Sequence, residues 1–155
     1  MSLERDLQSE QVIHLDLSGF TEVESGTTTR ATVDLMQQNG HNCALILQEG
    51  AIKGIFTDRD VLRKVVDAPA VWDGPIDTVM TPNPVTVHAS DPADKALQIM
   101  DDHHFRNVPV LDNDGQVIGN LTHYAIIKYL ADRFPESVYN LPPDPDSVPE
   151  GRAGA

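Results

Sequence analysis

The chain is short of cations and of cysteine, and it has no long apolar run. Only 11 lysines and arginines stand against 24 aspartates and glutamates, a formal net charge of −13. Non-specific binding to DNA, RNA or anionic lipid needs a basic patch, so neither nucleic acid nor a membrane is an expected partner. A small phosphorylated ligand is not excluded. Screening acts over roughly 8 Å at physiological salt, so the local charge of a pocket outweighs the total. No apolar stretch approaches the roughly 18 residues of a membrane span. Met1 to Gln11 is rich in charge and has no apolar core of the secretory type, so a cytoplasmic location is expected. The one cysteine, Cys43, forbids an internal disulfide. It lies in the apolar run Cys43 to Leu47, which predicts a buried and inert thiol.

What is present is enough for a core: 40% of the 155 residues are hydrophobic, consistent with one compact domain or two small ones sharing a core. An internal repeat organises them. Val23, Met36 and Leu47 recur as Val87, Met100 and Leu111. After one residue is inserted in the turn Asp112-Asn113-Asp114-Gly115, Gly50, Gly54 and Thr57 recur as Gly115, Gly119 and Thr122. Each copy reads strand, helix, strand, strand, helix. In the second copy Val85 to Val87 is a short strand. Asp91 is placed to cap a helix with Pro92 at its first position and Ala93, Ala96, Leu97 and Met100 inward. Val108 to Leu111 and Val117 to Leu121 form a hairpin, and Ile126 to Ala131 marks a closing helix. In the first copy Thr27 or Thr28 caps a helix with Ala31, Leu35 and Met36 inward and Gly40 just past its end. A hairpin, 43–48 and 51–57, leads to a closing helix with Val61, Leu62, Val65 and Val66 inward. The expected organisation is an arm at 1–11, one repeat at 12–70, a connection at 71–84, a second repeat at 85–133 and a Pro- and acid-rich tail without regular structure at 134–155. Ile13, Leu15 and Leu17 alternate and suggest an extra strand before the first copy.

Three strings carry a resemblance. Val79-Met80-Thr81-Pro82-Asn83-Pro84-Val85-Thr86-Val87 resembles the opening strand of a cystathionine-beta-synthase-type (CBS) repeat. Arg106 to Asp112 resembles its middle strand, and Gly54-Ile55-Phe56-Thr57-Asp58-Arg59-Asp60 resembles its signature Gly-x-x-Thr/Ser-x-x-Asp. The resemblance spans about residues 12–132. It implies an α/β fold of tandem repeats about a pseudo-two-fold axis, acting as a stand-alone regulatory module of the Bateman type. It further implies a homodimer, a cleft between the repeats that takes an adenosine compound such as AMP, ADP or ATP, and an effector protein as yet unnamed. S-adenosylmethionine is the alternative ligand, a ligand-free dimerisation scaffold the alternative role, and a hydrolase a distant third. No cofactor is expected beyond the regulatory ligand.

On spacing alone, Thr57 and Asp60 at i and i+3 form a capping box. The same geometry offers a carboxylate to both hydroxyls of a ribose and a hydroxyl to a phosphate. The second copy has Ala125 where the first has Asp60. A methyl group cannot hold a diol, so the two clefts are expected to be unequal. Carried over from the family, Thr57, Asp58 and Asp60 come from one repeat. Met80, Asn83, Pro84, Val85 and His88 line the base, with Phe105 and Arg106 nearby. His41 and Asn42 stand where relatives place phosphate contacts, and Arg106 is either a phosphate contact or a surface arginine paired with an acid. The histidines at 41, 88, 103 and 104 lack the spacing of a metal site, and the Asp58/Asp60 pair has no nucleophile or base to make it catalytic.

Overall fold

The computed structural model describes residues 3–134; from 135 onward the tail lies outside the described residues. Both copies fold in the expected order, and local chemistry sets the ends of their elements. After helix α1 (Leu3–Ser9) and strand β1 (Thr21–Glu24), helix α2 (Thr29–Asn39) is opened by Thr28. The Thr28 hydroxyl accepts the Ala31 N–H at 3.1 Å. Gly40 closes the helix in the left-handed conformation at φ 68°. The buried face is Thr29, Thr32 and Met36, so the expected Ala31 and Leu35 turn outward. Thr32 can be buried because its hydroxyl donates to the Thr28 carbonyl at 2.9 Å.

Strands β2 (Cys43–Gln48) and β3 (Ala51–Thr57) are an antiparallel hairpin, with β1 parallel to β2 on its far side. Helix α3 (Asp58–Asp60) continues as a π-helical turn, Val61–Val65. So short and wide a helix turns only Val61 and Val65 toward the core. Leu62 and Val66, expected inside, are 71% and 60% exposed.

In the second copy the strand expected at Val85 begins later, as β5 (Val87–His88), and Val85 is left exposed. Helix α4 (Ala93–His103) follows, then β6 (Asn107–Leu111), β7 (Val117–Thr122) and α5 (His123–Arg133). Asp91 does not cap α4; Pro92 holds that position. The Asp91 carboxylate instead accepts the His88 N–H at 2.8 Å and Lys95 at 3.1 Å, bending β5 toward the helix. Ala93, Ala96 and Met100 are buried as expected, but Leu97 is 38% exposed. His104 stands where the first copy has Gly40 and adopts the same left-handed turn, φ 57°.

Each sheet borrows its outer edge from the other half of the chain. Strand β4 (Thr81–Pro82), just before the second copy, pairs with β3 of the first, giving the order β1-β2-β3-β4. Reciprocally, Ser18 bridges Asn120 on β7, and the Asn120 N–H donates to the Leu17 carbonyl at 2.9 Å. The extra strand expected around residues 13–17 does not form. Val12–His14 is a 3-10 turn that buries Val12 and Leu15 and leaves Ile13 outside. The Asp16 carboxylate then takes the Ser18 N–H at 3.0 Å and hydroxyl at 2.6 Å, folding the chain locally instead of extending it.

The cores follow this exchange. Leu7, Val12 and Leu15 belong to the core of the second copy with Val110 and Ile126, while Ile76, Val79 and Met80 complete that of the first. The arm is fastened by Asp6, 4% exposed, which accepts the Tyr129 hydroxyl and lies 3.2 Å from Arg133. The connection is fastened by Asp77. Lys53 at 2.8 Å, the Ser25 hydroxyl at 2.5 Å and the Gly26 N–H at 2.8 Å hold its carboxyl well below the usual range, partly offset by burial.

The two signature glycines sit where the borrowed segments cross. A Cβ on Gly54 would collide with the Met80 side chain, and one on Gly119 would meet the Leu17 carbonyl oxygen at 2.8 Å. A thioether can swing aside; a backbone carbonyl that accepts the Asn120 N–H cannot. We expect Gly54→Ala to cost about 1–3 kcal/mol and Gly119→Ala to cost more than that. Urea unfolding of the two variants side by side checks the order.

Candidate functional site

Thr57 ends β3 where the chain turns into α3. Its N–H donates to Asp60 Oδ2 at 2.9 Å, and its hydroxyl reaches the same oxygen at 3.4 Å. The other oxygen, Oδ1, is 3.2 Å from Lys64 Nζ, which also donates to the Val79 carbonyl at 2.9 Å. Asp60 is thus a helix-turn acid that closes its own turn, 9% exposed. A carboxylate offers about four acceptor positions, and the weakest of the three in use is the 3.4 Å contact to Thr57. In the second copy the roles differ: the Thr122 hydroxyl accepts the Ala125 N–H at 3.1 Å, and no carboxylate is present.

Asp60 lines a cleft of about 330 Å³ between the two copies. That is at the small end of the ~300–1,000 Å³ typical of ligand sites. One wall is Ile55, Thr57, Asp58 and Asp60; the other is Pro84, Val85, Phe105 and Arg106. Of the residues expected from sequence, Thr57, Asp58, Asp60, Pro84, Val85 and Arg106 therefore meet here. Three do not. Met80 is 7% exposed and packs beneath Gly54, so it serves the core. Asn83 turns away in a left-handed conformation, φ 49°, with its N–H donating to the Lys53 carbonyl. His88 follows the Asp91 turn to the surface, outside the lining of the cleft.

His41 and Asn42 are also elsewhere. With Thr122, His123 and Tyr124 they line an adjoining cleft of about 560 Å³. This is the pseudo-symmetric partner of the first: His41 and Asn42 occupy in copy one the places of Phe105 and Arg106 in copy two. His41 Nδ1 lies 3.1 Å from the Thr21 hydroxyl. His123 is held below the usual histidine range by burial and then by the Arg106 charge, so it is neutral at pH 7.

Sequence reading missed Arg59, Arg63 and Lys64, which complete the Asp60 cleft. The signal was available, because Arg59/Arg63 and Asp60/Lys64 are both i, i+4 pairs on the turn that follows the signature. With Arg106 the cleft wall carries four cations against Asp58 and Asp60, the opposite balance to the chain as a whole.

Both copies have counterparts among known proteins. The family model described as CBS domain matches twice, at residues 10–67 and 76–132. A CBS domain-containing protein of Arabidopsis thaliana, CBSCBSPB1, is 35% identical over 91 residues, covering 55% of this chain and 17% of that protein. Arabinose 5-phosphate isomerase KdsD of Pseudomonas aeruginosa is 32% identical over 123 residues, 79% of this chain and 37% of that one. The chain thus spans well under half the length of either relative. Among solved structures, the CBS domain pair of protein MJ0100, in complex with 5′-methylthioadenosine and S-adenosyl-L-methionine, superposes with a TM-score of 0.66 at 25% identity, covering 78% of this chain and 99% of that one.

Cys43, 1% exposed at the start of β2, sits behind the cleft. Burial, then the charges of Asp60 and Asp58, push its thiol far above the ordinary range. It is expected to stay protonated at pH 8 and to react with a disulfide reagent only as fast as the protein unfolds. A time course in rising urea reads this directly.

Proposed function

Since the chain belongs to the CBS domain family, as a pair of repeats, we propose that it is a cytoplasmic regulatory module that binds an adenosine-type nucleotide of the AMP, ADP or ATP class beside Asp60. It passes the occupancy of that cleft to a partner protein and assigns no catalytic step to itself. The observation that carries the reading is the composition of the cleft. One copy supplies a carboxylate with acceptor capacity left and the other supplies an apolar wall at Pro84, Val85 and Phe105. The ribose hydroxyls would take the free acceptor position of Asp60 and the one that Thr57 holds weakly at 3.4 Å. The wall would take the base, and cations near both would take the phosphate. The complex of the MJ0100 pair with two adenosyl compounds supports the nucleoside part of this reading. A sulfonium ligand suits the net charge of −13, but it fits poorly beside Arg59, Arg63, Lys64 and Arg106.

Asp60→Asn keeps an oxygen for the Thr57 N–H and removes the charge, so it separates the cap from the ribose contact. Affinity for AMP in calorimetry should fall about 10- to 100-fold, as two charge-assisted bonds become neutral ones. Unaltered affinity would reduce Asp60 to a helix cap, and a parent protein silent to every adenosine compound would leave a dimerisation scaffold as the reading.

The module is proposed to act as a homodimer. Leu62 and Ile127 occupy matching positions in the two copies and are 71% and 47% exposed, with Val66 and Tyr124 about one turn away on the same segments at 60% and 66%. Exposed apolar groups repeated on the helices after both signatures suit a self-complementary interface. Light scattering at tens of micromolar should give twice the chain mass, and Leu62→Asp combined with Ile127→Asp should give the monomer.

A further inference from the structure

We propose that the adjoining cleft is the phosphate arm of the Asp60 cleft, so that the ligand is a nucleoside di- or triphosphate lying across both rather than a monophosphate confined to one. This rests on the nucleotide reading above and goes beyond it to the length of the phosphate chain.

Three observations lead here. The clefts are continuous: Asp58, Arg59, Arg106 and Asn107 line both. Their chemistry is complementary and not duplicated. Ala125 stands where the first copy has Asp60, and the one carboxylate lining the adjoining cleft is the shared Asp58. Yet that cleft presents the polar side chains of His41, Asn42, Thr122 and His123 around the two shared guanidiniums. The Thr122 oxygen accepts a backbone N–H, which leaves its own O–H to donate.

The third observation is a shortage of partners where partners should be plentiful. In a chain with 24 acids, Arg30, Lys53, Lys64, Lys95 and Arg133 each lie within 3.2 Å of a carboxylate. Among the described residues, Arg59, Arg63 and Arg106 have no carboxylate within 4.0 Å. All three line the Asp60 cleft, and two stand at its junction with the other. The one acid at the junction, Asp58, has an oxygen bound by the Arg59 N–H at 2.8 Å. Planar guanidiniums left without acids in an acid-rich protein are poised for an anion from outside, and their forked geometry suits successive phosphates. With the ribose at Asp60, an α-phosphate would stand near the junction, and β- and γ-phosphates would extend toward Asn42, His41 and Thr122.

Calorimetry without divalent cations, using adenosine, AMP, ADP, ATP and inorganic tripolyphosphate, tests this. The expected result is one ATP per chain, bound about 10-fold or more tightly than AMP, with ADP between them. Asn42→Asp adds a charge to the adjoining cleft alone and should compress the ATP-to-AMP ratio to about threefold or less. ATP no tighter than AMP, or two ATP molecules per chain of equal affinity, overturns the proposal. If no adenosine compound binds, the nucleotide reading fails by itself. Tripolyphosphate binding that Asn42→Asp abolishes would then still uphold the anion arm, and no tripolyphosphate binding would overturn it.

Discussion

A β-sheet has two edges whose backbone groups must be paired, covered or left to water. Here that constraint ties the halves of the molecule together. The four-stranded sheet is finished by Thr81–Pro82, which sequence would assign to the approach to the second copy. The three-stranded sheet is covered by Leu17 and Ser18, from the approach to the first. The signature glycines, the burial of Met80 and the anchoring of Asp77 and Asp6 are all consequences. A borrowed segment needs room to cross and a fastening to stay. The cleft depends on it too. The chain leaves β4 through Asn83, at φ 49°, and that turn delivers Pro84 and Val85 opposite Thr57 and Asp60.

The electrostatics work against the bulk composition. A net charge of −13 describes a protein that repels anions at a distance, yet the described cations without carboxylate partners include three arginines gathered at one cleft. Because screening confines each charge to roughly 8 Å, the two facts are compatible. Surface acids set solubility, and the wall of the cleft sets what it can hold.

Most of the fold was legible because its signals are local. The threonine before α2, Gly40 after it, the hairpin turns and the order of elements all depend on neighbours a few residues apart. The misreadings share a cause. Residues 13–17 alternate like a strand, but whether they become one depends on Asp16 and on β7 far along the chain. Leu62 and Val66 look like core by periodicity, but α3 and its π turn are too short to bury both. Asp91 has the chemistry of a cap, yet the turn from β5 claims its carboxylate. At the site, the residues of the signature turn were readable because they sit on consecutive positions. His41 and Asn42 line the adjoining cleft, because sequence says which residues are pseudo-equivalent but not which side of the axis each faces. Arg59, Arg63 and Lys64 reach the cleft through the same turn, at the i, i+4 spacing of Arg59/Arg63 and Asp60/Lys64.

The exchanged edges also bear on how the chain is made. Asn120 donates a side-chain hydrogen bond to the Gly19 carbonyl across 101 residues of sequence, and Asp6 waits for Tyr129. During synthesis the first repeat emerges with its outer edge open until Thr81–Pro82 arrive. The amino-terminal arm has no surface to settle on until the segment 89–93 and α4 have been made, and its fastening at Tyr129 and Arg133 waits for α5. Contacts of such separation slow folding, because the loop must close before they form. The nascent first repeat is therefore an unfinished sheet until β4 is made, and α5, the last helix among the described residues, is what locks down α1.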